Sequence, residues 1–292
     1  MKSIFHNQKN RPSVFLSGFT LVELVLAQAI FLVVLAVVFQ LIIGVTQNAQ
    51  SQKNKMDSMG DARQALDRIS LDWAARVRRQ DVTANENSQV SFVKQTGNDE
   101  LNFLSQVGSY SGARNLAWVS YQVTSGTSPT DLNAYTLQRS AIGYNWTATP
   151  QFISSGTSGF TPPSTSGTNT FETMANTVFR CEFCFLVQQS GTSSPVYSAD
   201  PTITLGSSNL VGVVVTVASL DQQSRQLISS TQLANLAGAL PDITTTSTQD
   251  PQSAWVPIIT NTGATGLAAK AGVPQKVASA VRVYQRILYV GE

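Results

Sequence analysis

One stretch constrains this chain more than any other: Phe19 to Val45, FTLVELVLAQAIFLVVLAVVFQLIIGV. Ala29 to Phe39 is apolar without a break, and across all 27 residues only Thr20, Glu23, Gln28 and Gln40 interrupt the run. A bilayer core takes about 20 apolar residues as a helix, so this stretch can span. Residues 1–18, MKSIFHNQKNRPSVFLSG, carry Lys2, Lys9 and Arg11 and no acid. Cytoplasmic flanks are the basic ones, which predicts a cytoplasmic leader and a single-pass anchor with the rest of the chain across the membrane.

A secretory signal is the first alternative, because Ala27-Gln28-Ala29 fits an A-x-A cleavage pattern. That site should follow the apolar core, however, and here most of the core lies after it. An ordinary uncleaved anchor is the second alternative, and it leaves Glu23 unexplained. An acid at a helix centre in hydrocarbon costs about 2.5–3.5 kcal/mol on insertion scales and is usually partnered. No Lys, Arg or His occurs between Arg11 and Lys53. Cleavage between Gly18 and Phe19 would supply a cation, the new α-amino group, one helical turn before Glu23 or within reach of the Glu23 of a staggered neighbour.

Gly18-Phe19-Thr20-Leu21-Val22-Glu23, with a basic leader before it and the apolar run behind it, resembles the N-terminal cleavage and methylation motif of type IV prepilins and type II secretion pseudopilins. The resemblance implies cleavage after Gly18 by a prepilin peptidase/methyltransferase and N-methylation of Phe19. It implies docking of Glu23 onto the amine of an adjacent pilin-like subunit. The chain departs from many major pilins in lacking a proline near the middle of the apolar run.

Composition narrows the rest. The only histidine is His6, in the leader that the motif removes, which excludes Ser-His-Asp and Cys-His catalysis and nearly all zinc sites. The net charge of +2 comes from the leader, since sixteen basic residues face all seventeen acidic ones in the remainder. No Arg/Lys cluster is interleaved with aromatics, so no nucleic-acid partner is expected. No Walker loop, G-x-G-x-x-G after a strand or G-x-S-x-G is present, and no calcium-loop spacing is evident. No catalytic residue, cofactor or metal is expected, and the chain reads as a non-enzyme.

Beyond the apolar run, Met56, Met59, Ala62, Leu66, Ile69, Trp73 and Val77 recur at spacings of three and four. The pattern predicts one helix from Phe19 to Gln80, its second half packing this stripe onto a head. Asp72 and Arg76 form an i,i+4 pair, and Arg76, Arg78 and Arg79 suit the negative end of the helix dipole.

The period then changes to that of strands. Val90–Val93 and Leu101–Leu104 flank a turn at Thr96-Gly97-Asn98-Asp99 and predict a hairpin. Ala117–Val123 and Ala134–Gln138 extend it into an antiparallel meander. Residues 141–170, rich in Ser, Thr, Gly and Pro, predict a surface loop. Strands are expected at Val178–Val187, Leu210–Ala218 and Val281–Val290, with a short helix at Ser224–Leu236 and an irregular stretch over 238–275.

Cys181 and Cys184 match C-x-x-C but fall on a strand, where i and i+3 point to opposite faces, so packed thiols are expected rather than a redox pair. The paired carboxylates Asp99 and Glu100 fall in the turn, where solvation accounts for them.

The expected organisation is a leader (1–18), a transmembrane helix (19–45), an amphipathic continuation (46–80) and a β-rich head (81–292). The fold class is α+β, a long N-terminal helix on an antiparallel sheet, pilin-like. The large head, the segment DARQALDRISLDWAARVRRQD and the C-terminal strand loosely resemble J-type minor pseudopilins and the prepilin-like cassette proteins of Verrucomicrobia-type bacteria. The function implied is a minor subunit of a type IV pilus or type II secretion pseudopilus. The alternative is a membrane-tethered binding module that does not polymerise.

Overall fold

The computed structural model describes residues 20–77, 90–93, 97–108, 116–124, 134–143, 171–188, 194–199, 209–243 and 247–289. The chain divides into two compact units, residues 1–52 and 53–292. Helix α1, Leu21–Ala74, crosses the division.

In the first unit α1 is exposed on every side, including the consecutive residues Leu32, Val33, Val34 and Leu35. A helix apolar all round belongs in a protein core or a membrane. This one is long and apolar enough to cross a bilayer, and none of its most apolar stretch is buried.

In the second unit α1 turns amphipathic. Ala62, Ala65, Leu66, Ile69 and Trp73 are buried, as the three–four spacing predicts. Met56 was expected in that stripe but is 73% exposed. Burial begins two residues later at Ser58, whose hydroxyl lies 3.1 Å from that of Ser219. The helix also stops at Ala74 rather than Gln80. Carbonyls at and just past its end are taken from residues 105 and 106: Ser105 Oγ donates to Asp72 O (2.7 Å) and Gln106 N to Ala75 O (2.9 Å). Helix-end carbonyls need such partners, and here the chain leaves the helix to bridge Arg76 to Ser105. Arg76 therefore lies beyond the helix, with its guanidinium 4.1 Å from the Trp73 ring centroid. Arg78 and Arg79 fall outside the described residues.

Among the described residues nine strands form two antiparallel sheets where one was expected. The first is the predicted meander: β1 (Val90–Val93), β2 (Glu100–Ser105), β3 (Ala117–Val123), β4 (Leu137–Gly143) and β5 (Glu172–Ala175), in that order. The expected hairpin pairs Val90 with Phe103 and Val93 with Glu100. Strand β4 starts three residues later than the expected strand and takes in Ala141–Gly143, the first residues of the expected loop. The rest of that loop, 144–170, falls outside the described residues. The second sheet runs β7-β6-β8-β9, from β6 (Val178–Gln188), β7 (Val196–Ser198), β8 (Asn209–Ser219) and β9 (Arg282–Tyr289). Strands β6, β8 and β9 lie within one residue of the spans expected from the sequence.

One core joins the inner faces of both sheets to the α1 stripe. Phe103, Val119 and Tyr121 come from the first sheet and Phe183, Phe185, Val213 and Val215 from the second. Trp73 meets Phe103 edge-on at 5.2 Å. A second core lies under the helices that follow β8: α2 (Gln222–Arg225), α3 (Ser230–Ala239), α4 (Pro251–Thr260), α5 (Leu267–Ala271) and α6 (Gln275–Ala278).

The expectation of irregular chain over 238–275 is wrong. Asp250 caps α4 by accepting from Ser253 N (2.7 Å), and Pro251 sits at its first turn, where a missing N–H is harmless. Pro257 lies inside α4. Its ring breaks the helical pattern in sequence, but burial of Trp255 holds the segment. Helix α3 likewise starts with a capping box, Ser229 with Gln232.

Candidate functional site

Gly18 and Phe19, the expected cleavage and methylation residues, fall outside the described residues. Glu23 lies in the first turn of α1. Glu23 N donates to Thr20 Oγ1 at 3.3 Å. In return Thr20 N and Thr20 Oγ1 donate to Glu23 Oε2 at 3.4 and 3.3 Å. This reciprocal arrangement is a capping box, with Thr20 as N-cap and Glu23 three residues on. The T-x-x-E spacing of Thr20 and Glu23 is the sequence signal for this box.

The box gives Glu23 a reason to exist within one chain. The helix N-terminus carries partial positive charge, which favours a carboxylate in the first turn. Its bonds are long, however, and only Oε2 takes part in them. What the site can do chemically is accept a cation or a further donor at the head of an otherwise apolar rod. No family model matches this sequence, and no curated protein or solved structure matches it.

The second unit has two buried charge clusters that sequence spacing did not reveal. Asp72, 1% exposed, accepts from Tyr121 Oη (2.5 Å) and Arg139 Nε (2.6 Å), and Arg68 lies 3.2 Å away one turn earlier. Asp72, expected as the acid of an i,i+4 pair with Arg76, is thus the bolt between α1 and the first sheet. Burial, reinforced by the Asp72 charge, pushes the Tyr121 phenol well above its ordinary range. Burial alone would lower Arg139, but its hydrogen bond and attraction to Asp72 raise it above the ordinary arginine value.

In the other cluster, Arg180 is fully buried and donates to Glu182 (2.7 Å) and Asp242 (2.5 Å). Glu182 accepts from Ile243 N at 2.9 Å, and Trp255 lies 5.3 Å from the guanidinium. These contacts register the chain after α3 against the outer face of β6.

Asp99 corrects the solvated-turn expectation. It is 1% exposed, and its Oδ2 accepts from Phe183 N at 3.0 Å. Beside it Asn98 imitates a peptide unit, accepting from Cys181 N (2.8 Å) and donating to Phe179 O (3.2 Å). The hairpin turn thereby clips onto the edge of β6. Cys181 and Cys184 are buried thiols on opposite faces of β6, one in the main core and one beside Val214 and Ile243. No group of three or more His, Cys, Asp or Glu that could hold a metal occurs among the described residues.

Proposed function

We propose that the protein is a prepilin-like, minor subunit of a type IV pilus or type II secretion pseudopilus. The leader ends at Gly18, Phe19 becomes the methylated N-terminus, and the apolar half of α1 first anchors the chain in the inner membrane. It then packs against the same segment of other pilin-like subunits, with the head on the periplasmic side. The observation that carries this reading is an all-round apolar helix that its own chain leaves exposed, headed by a single carboxylate. Lipid or neighbouring helices of the same kind can cover such a surface.

Glu23 then has two duties. Through Oε2 it closes the first turn with Thr20, and through its remaining acceptor capacity it meets the ammonium of a neighbouring subunit. A half-satisfied carboxylate in an apolar bundle gains from that partner, and the contact fixes the axial stagger. Nothing in this role calls for catalysis.

Intact mass of protein from the native host tests the processing step. The expected product lacks residues 1–18 and carries one extra methyl group at Phe19, whereas a chain still beginning at Met1 or trimmed at Ala29 ends the proposal. Glu23→Ala tests docking: insertion is retained and incorporation into a filament is lost. If crosslinking in membranes yields no products between Phe19–Val45 segments, the chain is a monomeric tether.

A further inference from the structure

Strand β9 lies at the end of the second sheet, with β8 on one side of it. Leu288 O faces β8, where a side chain on Gly212 would meet it at 2.9 Å. Tyr289 O turns the other way and accepts from Trp73 Nε1 at 3.4 Å. Residues two apart on a strand share a direction, so Val283, Gln285 and Ile287 also aim their N–H and C=O groups away from β8. Residues 282–287 all keep some exposure to water. A row of outward backbone groups of this kind is a template for one more strand.

A groove of about 470 Å³ runs beside this edge. Helix α1 supplies Arg63 and Asp67 to its walls, the start of α4 supplies Gln252, and β9 supplies Tyr284, Gln285 and Arg286. Gln285 is pinned in place, since its Oε1 accepts from Thr216 Oγ1 (2.9 Å) and from Gln252 N (3.3 Å).

Charge selects the partner. Arg286 donates to Asp67, but the two side chains are 43% and 64% exposed. An exposed pair holds weakly, so Arg286 can exchange this carboxylate for another. Arg282, at the head of the strand, donates to the carbonyls of Ser279 and Val281 (both 2.8 Å), which place its guanidinium without neutralising it. Burial raises the Tyr284 phenol, and the charges of Arg282 and Arg63 draw it part of the way back, so both act on the same stretch of strand. Arg282 and Arg286 are an even number of residues apart and leave β9 on one face, the face of Tyr284 and Leu288. Three guanidiniums thus stand with one carboxylate along Arg282–Arg286. A second copy of β9 would bring the same arginines and be repelled, whereas a strand with an acid at every second position is attracted. We propose that the outer edge of β9 takes up an extended acidic segment of a partner protein as an added strand, with Arg63, Arg282 and Arg286 meeting its carboxylates.

The test uses the full chain in micelles of a zwitterionic detergent at low ionic strength. The probe is fluorescein-labelled TETETETE, eight residues long like β9 itself, followed by fluorescence anisotropy. It should bind with a Kd on the order of 100 μM or tighter. TKTKTKTK should bind at least about tenfold more weakly. So should the acidic peptide N-methylated at every amide, which keeps its charge but cannot donate to a strand. Arg63→Glu, at an exposed position on α1, reverses one charge of the groove and should also weaken binding at least about tenfold. Should Arg63→Glu fail to fold, the two control peptides alone decide. The proposal is overturned if TETETETE does not bind, if either control peptide binds as tightly, or if a folded Arg63→Glu variant binds like the wild type. These outcomes are independent of whether the chain enters a filament.

Discussion

Helix α1 is continuous in its hydrogen bonding, yet its two halves handle polarity in opposite ways. In the first unit Leu, Val and Ile side chains face outward around the whole circumference, and the one acid is answered locally by Thr20. In the second unit the apolar residues form a stripe that is buried, and the acid at its end, Asp72, is answered by residues 49 and 67 positions away. A carboxylate at a helix start can draw on the helix itself, through the dipole and a cap. A carboxylate in the last turn gets no such help and needs tertiary partners.

Removing each acid should separate the halves most sharply. Asp72→Ala takes away the carboxylate shared by Arg139, Arg68 and Tyr121 and should destabilise the head by about 3–5 kcal/mol. Urea unfolding followed by tryptophan fluorescence reads this, and Glu23→Ala should leave the same curve unmoved. Equal shifts would mean that the two acids are not different in kind.

Isoleucine truncation gives the apolar counterpart. Ile69→Ala, at a fully buried position, should cost about 2–5 kcal/mol, while Ile42→Ala, at an exposed one, should not change head unfolding. If Ile42→Ala lowered head stability, the apolar half would have a packing partner in the head.

Tyr121→Phe sharpens the contrast through pH. Losing a hydrogen bond to a buried carboxylate should cost about 1.5–3 kcal/mol at neutral pH. The folded phenol titrates above its unfolded value. Its contribution is therefore complete below about pH 10 and declines as pH rises from there toward the folded value. Alkaline unfolding of the wild type should thus include a component that the Tyr121→Phe variant lacks.

The smallest effect is expected at Asp61, at the beginning of the buried stripe. Burial raises its carboxyl, the Thr177 hydroxyl partly offsets this, and Asp57 one turn earlier adds to the rise. A raised folded value means that ionisation opposes folding, so stability falls as pH climbs past the ordinary carboxylate range. Asp61→Asn should raise Tm slightly at neutral pH and leave it unchanged near about pH 3. A lower Tm at neutral pH would show that the charge itself is stabilising.

Local patterns were legible wherever one period dominated. The three–four spacing gave the α1 stripe and alternation gave β3, while β6, β8 and β9 were legible as strands to within one residue. The element boundaries were set by partners instead. Helix α1 ends where β2 supplies donors to its carbonyls, and β4 starts late because Arg225 and Thr124 hold Tyr135 in an unextended conformation. The helices over 251–278 were missed because Pro257 and several glycines break the pattern, while the burial of Trp255, Leu267 and Val277 that sustains them involves distant chain. Of the candidate site, Thr20-x-x-Glu23 was readable in full, since capping is a matter of four consecutive residues.

Sequence by itself determined that a long apolar rod leads the chain, that its first turn carries a lone acid, and that antiparallel strands follow. Each of these depends on neighbours within a few residues, where period, composition and cap spacing act directly. Only the tertiary structure decided that Asp72 and Arg180 are buried with their countercharges, that Asp99 joins two sheets, and that Tyr135 is held at a φ of 56°. Those outcomes arise from groups far apart in the chain meeting in a medium that water has left, where a charge or a φ angle is tolerated only because specific partners are in place.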